Sequence, residues 1–515
     1  MNRRNFLFTS AAGALHCGSP RVLRAQTNDT AWSDTSLREK LMHDPLRPQY
    51  HLLPQAGFVG DPCAPRFFGG KYHVFFHGSF DGRGWAHAMG PDLIHWQHMP
   101  KALAPTESSY DSYGTFTGSV LPGTDVPSII YCGVTRSTRA TETIRAEDLR
   151  EVQCIATSTD PELQTWQKLE HPVIDASPQG VSVVGFRDPF AWKDGDIWYA
   201  GVGSGFPQEG GAVLLYRSSD ARHWEYLHPL AQGIWNGKSF TNPVGNGEMW
   251  ECPDFFPLGD KHVLLYSSEY ITYWEVGSFH KQELRFHSER KGFLDHGSYY
   301  APKSMLDADN RRILWGWVQE TRDREATQAA GWSGAISLPR VLTVGPDNEL
   351  MMEVPPEFVS LRTHTVTISK LRSAGQLDEA QSQTIMRERA GDVVCTFDVG
   401  KRDCGLELSI GSPSNRTSLL KISSGVNIGD KPSIIVGDRT LALCPDHLGR
   451  SILHLWVDGS IIELFADSRQ VKTIRFYETP EGRSDIQVRW TGGFESLVSL
   501  TVSDCKPISK DRLTT

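Results

Sequence analysis

No run of apolar residues in this sequence approaches the ~20 that a helix needs to cross a bilayer, so a helical membrane protein is not expected. Basic charge is not in excess either. The net charge is −9 at pH 7, which argues against nucleic acid as a partner. The nine cysteines are scattered, without CxxC or mixed His/Cys spacing, so neither a zinc site nor a disulfide framework is indicated. Long helical periodicity is also missing, whereas 47 Gly and 15 Trp favour many short strands and turns.

The first 26 residues have the features of an export signal rather than of a folded element. Arg3 and Arg4 begin a stretch that resembles the twin-arginine motif, and a modest apolar run follows over residues 7–15. This pattern predicts a periplasmic or secreted protein, with a frayed cytosolic N-terminus as the alternative. Residues 27–44 are polar and lack a pattern, and we interpret them as a linker with at most one helical turn.

A short unit recurs five times along the chain. In each copy one residue is followed, ten or eleven positions later, by the start of an apolar, strand-like run. Successive runs begin roughly 60 residues apart, a period typical of repeat architectures. Three copies carry a carboxylate at what we interpret as the equivalent place. The pairs are Asp61 and Tyr72, Thr117 and Ser128, Asp188 and Trp198, Glu251 and His262, and Tyr300 and Arg311.

Repetition at this length, with several short strands per unit, is typical of a β-propeller. We therefore predict an all-β protein with a five-bladed propeller over residues 45–355 that closes near Trp332. Strands continue over residues 356–515 without the repeated unit, and Asp458-Gly459 predicts a tight hairpin turn among them. This second region is predicted to be a C-terminal β-sandwich.

The acidic residues of the repeated unit point to a chemical function. Innermost propeller strands surround one channel, so Asp61, Asp188 and Glu251 are expected to converge although they lie far apart in the sequence. Two carboxyl groups across a small cavity are the minimum for cleaving a glycosidic bond.

Each acid then has an expected role and a structural alternative. Asp61, placed before Pro62, is the expected nucleophile, and a turn-forming Asp-Pro pair is its alternative. The apolar setting of Glu251 would raise its pKa, as a general acid requires, although a half-exposed strand glutamate is the alternative. Arg187 should keep Asp188 ionised and suited to binding hydroxyls, unless the two form a structural ion pair at a blade edge.

Several aromatic and polar residues at matching channel positions are candidates for a sugar-binding surface, although any single propeller aromatic can instead belong to the core. No cluster of metal ligands and no cofactor motif emerges, so neither a metal nor a cofactor is expected. The candidates are Trp85, Phe116, Thr117, Tyr300 and Trp317.

The motifs together resemble glycoside hydrolase family 32, the β-fructofuranosidases, over about residues 45 to 505. The resemblance implies a five-bladed propeller with a β-sandwich and retaining hydrolysis of β-fructosides in sucrose or fructans. It implies Asp61 as nucleophile, Asp188 as transition-state stabiliser and Glu251 as acid/base, with Arg187 and His77 among the substrate-binding residues. The motifs are His51-Leu52-Leu53-Pro54, Phe186-Arg187-Asp188-Pro189, Trp250-Glu251-Cys252-Pro253, Tyr300-Ala301-Pro302-Lys303, Trp315-Gly316-Trp317, Leu338-Pro339-Arg340, Val457-Asp458-Gly459 and Glu463-Leu464-Phe465.

The chain departs from the family pattern around the nucleophile. Gly60 and Cys63 replace two asparagines, Ala64 replaces a glycine, and His77 stands where a glutamine is usual. Because a site built to hydrogen-bond hydroxyls loses strongly when donors vanish, substrate choice and turnover are open to change. A fructosyltransferase and a sugar-binding protein without catalysis are therefore alternatives to the hydrolase. An inverting five-bladed arabinosidase is a weaker one.

Overall fold

The computed structural model describes a chain built almost entirely of β-strands. No helix among the described residues is long and apolar enough to cross a bilayer. The predicted export signal, residues 1–26, and residues 27–34 of the predicted linker lie outside the described residues. These are 35–79, 84–137, 148–238, 242–369, 378, 380–400, 403–412, 415–479, 485–511 and 513.

Helix α1 (Thr35–His43) occupies the stretch predicted as a linker. The polar sequence conceals one buried anchor, Leu41, which packs with Leu53 and Trp332 at the edge of the first sheet. This packing stabilises a nine-residue helix where at most one turn was expected. Tertiary contact has outweighed a weak local signal, as is common for short helices.

Five antiparallel sheets form the first part of the fold within the described residues. The strands of the first four sheets follow one another along the chain. They are β1 (Gly57–Phe68), β2 (Lys71–Ser79), β3 (Trp85–Gly90) and β4 (Gln97–Leu103); β5 (Gly114–Leu121), β6 (Ser128–Arg136), β7 (Leu149–Thr157) and β8 (Gln167–Lys168); β9 (Arg187–Asp194), β10 (Ile197–Phe206), β11 (Gly210–Ser218) and β12 (Glu225–Gln232); and β13 (Glu251–Leu258), β14 (Lys261–Ser268), β15 (Ile271–His280) and β16 (Arg285–Asp295).

The fifth sheet contains the strands on either side of the segment that closes the ring. Helix α2 (Arg324–Ala330) lies within this segment, capped by Asp323 and by Gly331 at φ +81°. Strand β19 (Trp332–Ser333) then pairs in parallel with the start of β1, at the place where closure is predicted. Strand β19 therefore belongs to the first sheet. The strands of the fifth sheet are β17 (Tyr299–Leu306), β18 (Arg312–Val318), β20 (Ala335–Ile336), β21 (Arg340–Val344) and β22 (Leu350–Glu353).

The five sheets are arranged as blades around a central channel. The first strand of each sheet contacts the first strand of the next, and β17 contacts β1, so that β1, β5, β9, β13 and β17 form a closed ring. Each of β5, β9, β13 and β17 pairs with one strand of its own sheet, and its other edge is protected by the neighbouring innermost strands. The predicted β-propeller is confirmed.

Every innermost strand carries a β-bulge at the same height of the ring. In each blade the first and second strands have a register shift. Two paired residues of the first strand lie three positions apart, whereas their partners on the second strand lie two positions apart. A bulge interrupts the alternation of side chains, so neighbouring residues can face the same side. The bulged pairs are Gly60 and Asp61, Phe116 and Thr117, Asp188 and Pro189, Cys252 and Pro253, and Ala301 and Pro302.

Two six-stranded antiparallel sheets make up the C-terminal part, as predicted for a β-sandwich. Their facing side chains form one continuous apolar core. Asp458 and Gly459 make the predicted hairpin turn, with Gly459 at φ +59°. The strands are β23 (Arg362–Ser369), β24 (Gln383–Met386), β25 (Ala390–Asp398), β26 (Gly405–Ser412), β27 (Asn415–Ile428), β28 (Lys431–Val436), β29 (Arg439–Ala442), β30 (Arg450–Asp458), β31 (Ile461–Ala466), β32 (Gln470–Arg475), β33 (Ile486–Thr491) and β34 (Leu497–Cys505), with 3-10 helices at Pro356–Leu361 and Phe494–Ser496.

The sandwich is joined to the propeller by buried charged side chains. Asp458 accepts hydrogen bonds from the backbone amides of Gln49, Tyr50 and His51, at 2.6, 2.8 and 2.9 Å, just before the first blade begins. The ring of His51 lies between Asp458 at 2.8 Å and Glu463 at 3.0 Å. Burial alone would lower the pKa of His51, but its bonds to both carboxylates outweigh burial and raise this pKa.

Glu463 extends the network to the last blade. It accepts from the amide of Leu338 at 2.7 Å and from Nη2 of Arg340 at 2.7 Å. Arg340 in turn bonds Asp295 at 2.8 Å, and Asp295 accepts from Thr473 on β32. Gly297 lies beside Thr473, whose carbonyl oxygen would be 1.9 Å from any Cβ at that position, so only glycine allows this approach. The hairpin of β30 and β31 therefore holds both ends of the propeller.

Removing the charge of Glu463 should destabilise the whole protein. We expect Glu463→Gln to lower the free energy of unfolding by about 3–5 kcal/mol, because Arg340 would lose a fully buried counter-charge. Equilibrium unfolding in urea measures this change. The control is Glu225→Gln, which removes an exposed partner of Arg217 and should change stability by less than ~1 kcal/mol. Equal effects of the two substitutions would contradict a stabilising role for the network.

Candidate active site

Three acidic side chains meet where the bulges line the channel. Asp61, Asp188 and Glu251 come from the innermost strands of the first, third and fourth blades. Cys252 links two of them, because its Sγ lies 3.6 Å from Asp61 Oδ2 and 3.4 Å from Asp188 Oδ2. Arg187 approaches the other pair, with Nη2 at 2.5 Å from Glu251 Oε1 and Nε at 3.8 Å from Asp188 Oδ2. The predicted convergence is therefore present in the structure.

The strand register shows that the three acids do not occupy the same place in their blades. Glu251 directly precedes its bulge, Asp188 is the first residue of its bulge, and Asp61 is the second. The equivalence expected from the spacing is thus wrong by one or two residues. Because all five first strands carry the bulge, the difference arises from the number of residues between the bulge and the second strand; β1, for example, has a further register shift between Cys63 and Arg66. Counting residues to an apolar run cannot separate that number from the position of the acid. The acids instead occupy three successive layers of the channel.

Glu251 lies in the layer that precedes the bulges, and both of its carboxylate oxygens accept hydrogen bonds. Oε1 accepts from Nε and Nη2 of Arg187, at 3.1 and 2.5 Å, and Oε2 accepts from the hydroxyl of Tyr300 at 2.8 Å. Arg187, Glu251 and Tyr300 occupy the same register position in three consecutive blades. Neighbouring blades therefore bring an acid, a guanidinium and a phenol into direct contact.

The middle layer holds Asp188. Its Oδ2 accepts from the backbone amide of Cys252 at 3.0 Å and faces the thiol of the same residue. Burial raises the pKa of Asp188 to about 6, opposed by Arg187 and the Cys252 amide and reinforced by Glu251 and Asp61. Arg187 lowers this pKa, as expected, but burial has the larger effect, so Asp188 is mostly ionised at pH 7 and takes up a proton as pH falls through about 6. The closer carboxylate partners of Arg187 are Glu251 and Glu151, and burial has the largest effect on Asp188.

The layer of the second bulge residues holds Asp61. Thr117, which has the same register position in the next blade, donates to Asp61 Oδ2 at 2.8 Å. The Cys252 thiol approaches the same oxygen from the opposite side of the channel. Both Asp61 and Thr117 are almost completely buried. Asp61 is thus held in one orientation by side chains from two other blades.

The backbone at the bulges is strained. Asp188, Cys252 and Ala301 have φ of +60°, +50° and +52°, in the left-handed region that favours glycine. Each is the first residue of its bulge and directly precedes a proline. A left-handed conformation costs a residue with a side chain about 1–2 kcal/mol. Strain of this kind persists where the surrounding packing imposes it, often at functional sites.

The predicted substrate-binding residues fall into two groups. Arg187, Thr117 and Tyr300 directly contact the acids, as described above. Trp85 is completely buried, and its indole N–H donates to the Phe116 carbonyl at 3.2 Å. The structure therefore places Trp85 behind the channel wall rather than on its surface.

The other three predicted residues lie around Gly60. His77 and Phe116 are both half-buried, with ring centroids 6.4 Å apart. Trp317 is 7% exposed and makes an edge contact with Phe58. A Cβ on Gly60 would lie 3.0 Å from the Phe58 ring and 3.1 Å from His77 Cβ. The side chains of Phe58 and His77 therefore fill the space beside Gly60.

The second departure, Cys63, is turned away from the channel. Its side chain is fully buried in the apolar core between the first two blades, with Phe75 and Trp85. Burial raises the pKa of this thiol well above its usual range. Cys63 therefore supplies packing at this position rather than a donor to the channel.

Sequence reasoning did not identify the roles of Cys252, Phe58 and Glu151. The sequence shows that Cys252 adjoins Glu251. Its contacts with Asp61 and Asp188 are visible only once the blades are arranged in a ring. Glu151 lies on β7, outside every motif, and bonds Arg187 Nη1 at 3.3 Å. No sequence pattern marked it.

The geometry gives the three carboxyl groups different chemical capacities. The Glu251 side chain is 13% exposed and that of Asp188 is 5% exposed, so Glu251 is the more accessible to an incoming group. Asp61 is fixed by Thr117, which suits a group that must attack in one direction. Anions beside the reacting centre would stabilise positive charge as it develops. Acid catalysis, nucleophilic attack and electrostatic stabilisation are thus available in one cavity.

Comparisons with known proteins give a consistent family assignment. Residues 51–355 match the model of the Glycosyl hydrolases family 32 N-terminal domain, and residues 432–504 match that of the Glycosyl hydrolases family 32 C terminal. A sucrose-6-phosphate hydrolase of Escherichia coli is 31% identical over 468 residues, which cover 85% of this chain and 90% of that protein. A raffinose invertase of Escherichia coli is 33% identical over 352 residues, covering 64% of this chain and 68% of that protein.

A solved structure agrees with this fold. The Bombyx mori GH32 beta-fructofuranosidase, as a mutant in complex with sucrose, superposes with a TM-score of 0.73 at 22% identity. The match covers 93% of this chain and 99% of that one. The propeller and the sandwich therefore occur together in the same overall arrangement in a solved enzyme.

The raised pKa of Asp188 predicts a pH-dependent effect of Asp188→Asn on stability. A carboxyl with a folded pKa of about 6, above its ordinary 3.8, favours folding at low pH and loses that contribution as pH rises through 6. Asparagine does not titrate. We therefore expect the variant to gain stability relative to the wild type between pH 4.5 and 7.5, by about 2 kcal/mol, with most of the gain below pH 6. Urea unfolding of both proteins at several pH values measures the difference, and a difference independent of pH would contradict the expectation.

Proposed function

The chain belongs to the glycosyl hydrolases family 32 and is a glycosidase of the β-fructofuranosidase type, and from this we propose that it hydrolyses β-fructosides by a retaining mechanism. In this mechanism Asp61 is the nucleophile, Glu251 the acid/base and Asp188 the stabiliser of the transition state. The observation that carries these roles is the meeting of the three acids through Cys252 and Arg187 in successive layers of one channel.

The first step breaks the glycosidic bond. A carboxylate oxygen of Asp61 attacks the anomeric carbon of the fructosyl unit, and the bond from that carbon to the leaving oxygen breaks. Glu251 transfers its proton to the leaving oxygen, so the alcohol departs neutral. Asp188, buried beside both groups, opposes the positive charge that develops on the sugar ring. The product of this step is a fructosyl ester of Asp61.

The second step returns the enzyme to its starting state. Glu251, now a carboxylate, takes a proton from water, and the water oxygen bonds to the anomeric carbon. The ester bond to Asp61 breaks, and its electron pair returns to the carboxylate. Two inversions at the same carbon give net retention. Arg187 and Tyr300 fix the orientation of Glu251 in both steps, since they bond its two oxygens separately.

The substrate is proposed to be sucrose or a related β-fructoside. The relatives named above include a sucrose-6-phosphate hydrolase and an invertase of raffinose, and a sucrose complex has been solved for a protein with the same fold. The alternatives of transfer and of binding without catalysis are not favoured by these relatives. The same three acids would nevertheless support transfer if a sugar hydroxyl replaced water in the second step.

One set of assays tests the substrate proposal. The purified protein is incubated in parallel with sucrose, sucrose 6-phosphate, raffinose, inulin and levan, and free fructose is quantified. Fructose release from sucrose or raffinose is expected, with the β-anomer formed first in NMR spectra recorded during the reaction. Longer oligosaccharides as the main product would indicate a transferase. No fructose from any of these substrates would contradict the proposed function.

Export through the twin-arginine route stays a prediction from residues 1–26. Its support is the motif that begins at Arg3 and Arg4 and the apolar run after it. Replacing both arginines by lysine should retain the protein in the cytosol. Fractionation of cells that express the two forms measures this, and unchanged distribution would contradict the prediction.

The proposed roles predict different losses for two substitutions. Glu251→Gln should lower kcat on sucrose by ~10²–10⁴-fold, the usual contribution of a general acid. The loss should be smaller on a fructosyl fluoride, because fluoride leaves without being protonated. Asp61→Asn should abolish turnover of both substrates. Glu275→Gln, which alters another buried glutamate of the fourth blade, should leave kcat unchanged. Equal losses of Glu251→Gln on both substrates would contradict its role as acid.

A further inference from the structure

We propose that Glu151 is a positioning residue that limits how strongly Arg187 holds the acid/base Glu251, and that Glu151 thereby keeps Glu251 able to donate a proton. This inference rests on the proposed function, in which Glu251 is the general acid. Glu151 belongs to β7, the third strand of the second blade, and takes no direct part in breaking bonds.

Glu151 is placed behind Arg187 by two hydrogen bonds. Its Oε1 accepts from Arg187 Nη1 at 3.3 Å, and its Oε2 accepts from the backbone amide of Phe186 at 2.8 Å. The Glu151 side chain is fully buried. A buried carboxylate is costly unless it is paired, so its position between a guanidinium and an amide is strongly determined.

Arg187 is shared among three acids. Glu151 contacts Nη1, whereas Glu251 contacts Nε and Nη2 on the other side of the guanidinium, and Asp188 lies 3.8 Å from Nε. Burial alone would lower the pKa of Arg187, but Glu151, Glu251 and Asp188 outweigh it and raise this pKa. Arg187 is therefore a permanent cation whose charge is divided between Glu151 and the two acids of the channel.

The division of this charge has a direct consequence for Glu251. A guanidinium that bonds only a general acid favours the ionised form of that acid, which cannot donate a proton. Glu151 offsets part of the positive charge at Arg187. Removing the charge of Glu151 should therefore strengthen the hold of Arg187 on Glu251 and on Asp188. The other groups that face Glu251 or Glu151 are the carboxyl of Asp188, the hydroxyl of Tyr300 and the thiol of Cys132, and burial raises the pKa of that thiol.

The test compares pH profiles of wild type and Glu151→Gln with sucrose as substrate. The alkaline limb of kcat/KM reports the proton of the general acid in the free enzyme. We expect this limb to move toward acid by about one pH unit, because a cation within ~4–6 Å without its counter-charge favours ionisation by at least that much. Glu151→Asp keeps the charge, and its limb should lie between the other two.

The matched control is Glu275→Gln. Glu275 is a buried glutamate on β15, the third strand of its own blade, and it accepts from Tyr266 at 2.9 Å rather than from the site. Its pH profile should coincide with that of the wild type. A lower kcat for Glu151→Gln with an unmoved alkaline limb would overturn the inference and leave Glu151 a purely structural residue. If Glu151→Gln does not fold, Glu151→Asp is measured in its place. The inference is then overturned if the alkaline limb of Glu151→Asp coincides with that of the wild type.

Failure of this inference is distinct from failure of the proposed function. If the wild type releases no fructose, the proposed function is wrong. If the wild type is active and loses activity in Glu251→Gln, but both Glu151 variants keep the wild-type alkaline limb, only the role of Glu151 is wrong.

A second, independent inference concerns the opposite end of the fourth blade. We propose that His280, Glu283 and His287 form a surface site for a divalent transition-metal ion such as Zn²⁺. One ligand atom from each lies within 4.8 Å of the others, and no other group of this kind occurs in the part of the chain that the structure describes. The hairpin of β15 and β16 carries all three residues.

The hairpin register places both histidines on one face. His280 pairs with Arg285 and Ser278 pairs with His287, so the two rings are diagonal neighbours, with centroids 4.2 Å apart. Glu283 lies in the turn between them, with a carboxylate oxygen 3.5 Å from His287 Nε2. All three side chains are exposed and can move the short distance to a common ion.

The chemistry of this set fits a borderline metal. Two imidazoles and one carboxylate are common ligands of Zn²⁺, at about 2.0–2.2 Å, and leave a position for water. The neighbouring cations are directed elsewhere, since Lys281 bonds Asp194 at 3.0 Å and Arg285 bonds the Pro229 carbonyl at 3.3 Å. Glu251 is the first residue of β13, and the turn that carries Glu283 lies at the opposite end of the same sheet. At ~3.3 Å per residue along the strands, the turn is roughly 25 Å from Glu251.

Zinc chloride titrated into the untagged, chelator-treated protein tests this proposal by calorimetry. One Zn²⁺ per chain is expected at pH 7.5, with binding lost at pH 5.5 as the imidazoles become protonated. His280→Ala and His287→Ala should each weaken this binding at least ~tenfold. His223→Ala, which removes an exposed histidine 2.7 Å from Asp220, is the control and should change nothing. Unaltered affinity in a His280→Ala/His287→Ala double variant, or no binding by the wild type, would overturn the proposal.

Discussion

The five bulges of the innermost strands are the constraint on which the site depends. In a regular strand every second side chain faces the channel, so adjacent residues would face opposite sides. A bulge at the same height of each blade removes that restriction over three successive positions. Glu251, Asp188 and Asp61 use one position each, and each contacts residues of other blades. The strained backbone of Asp188 and Cys252 is the energetic cost of this arrangement.

One hairpin of the sandwich connects the two ends of this ring. Asp458 bonds the chain just before the first blade, and Glu463 bonds it within the last, so one hairpin holds the two ends of the propeller. The ring is closed by the short parallel pair that begins at Gly57 and Trp332 and by the packing of β1 against β17 and β18, and the sandwich hairpin bridges the same seam. The motifs around His51, Arg340, Asp458 and Glu463, which lie outside the active site, are thus explained by closure. They preserve the channel geometry from a distance.

The sequence allowed the architecture and the three acids to be predicted, because repetition is visible in one dimension. It did not allow their register to be predicted, since the number of residues between the bulge and the second strand differs among the blades, as the second register shift of β1 shows. The effect of Arg187 on Asp188 was inferred from their adjacency, but the larger, opposite effect of burial on the pKa of Asp188 was missed. Sequence adjacency does not show that the guanidinium turns toward Glu251 and Glu151, nor that burial dominates at Asp188. Helix α1 was missed because one buried leucine in a polar stretch gives no periodic signal.

The charge balance of the site couples the protonation of its acids. Three carboxyl groups, those of Glu151, Asp188 and Glu251, surround the buried guanidinium of Arg187. Asp61 adjoins Asp188 through the Cys252 thiol. Like charges at this distance in a site shielded from water cannot all be ionised at little cost, so each carboxylate opposes the ionisation of its neighbours. The raised pKa of Asp188 reflects this shared excess of negative charge as well as its burial. The protonation of each acid therefore depends on the others, and the position of Arg187 determines which carboxylates its charge offsets directly.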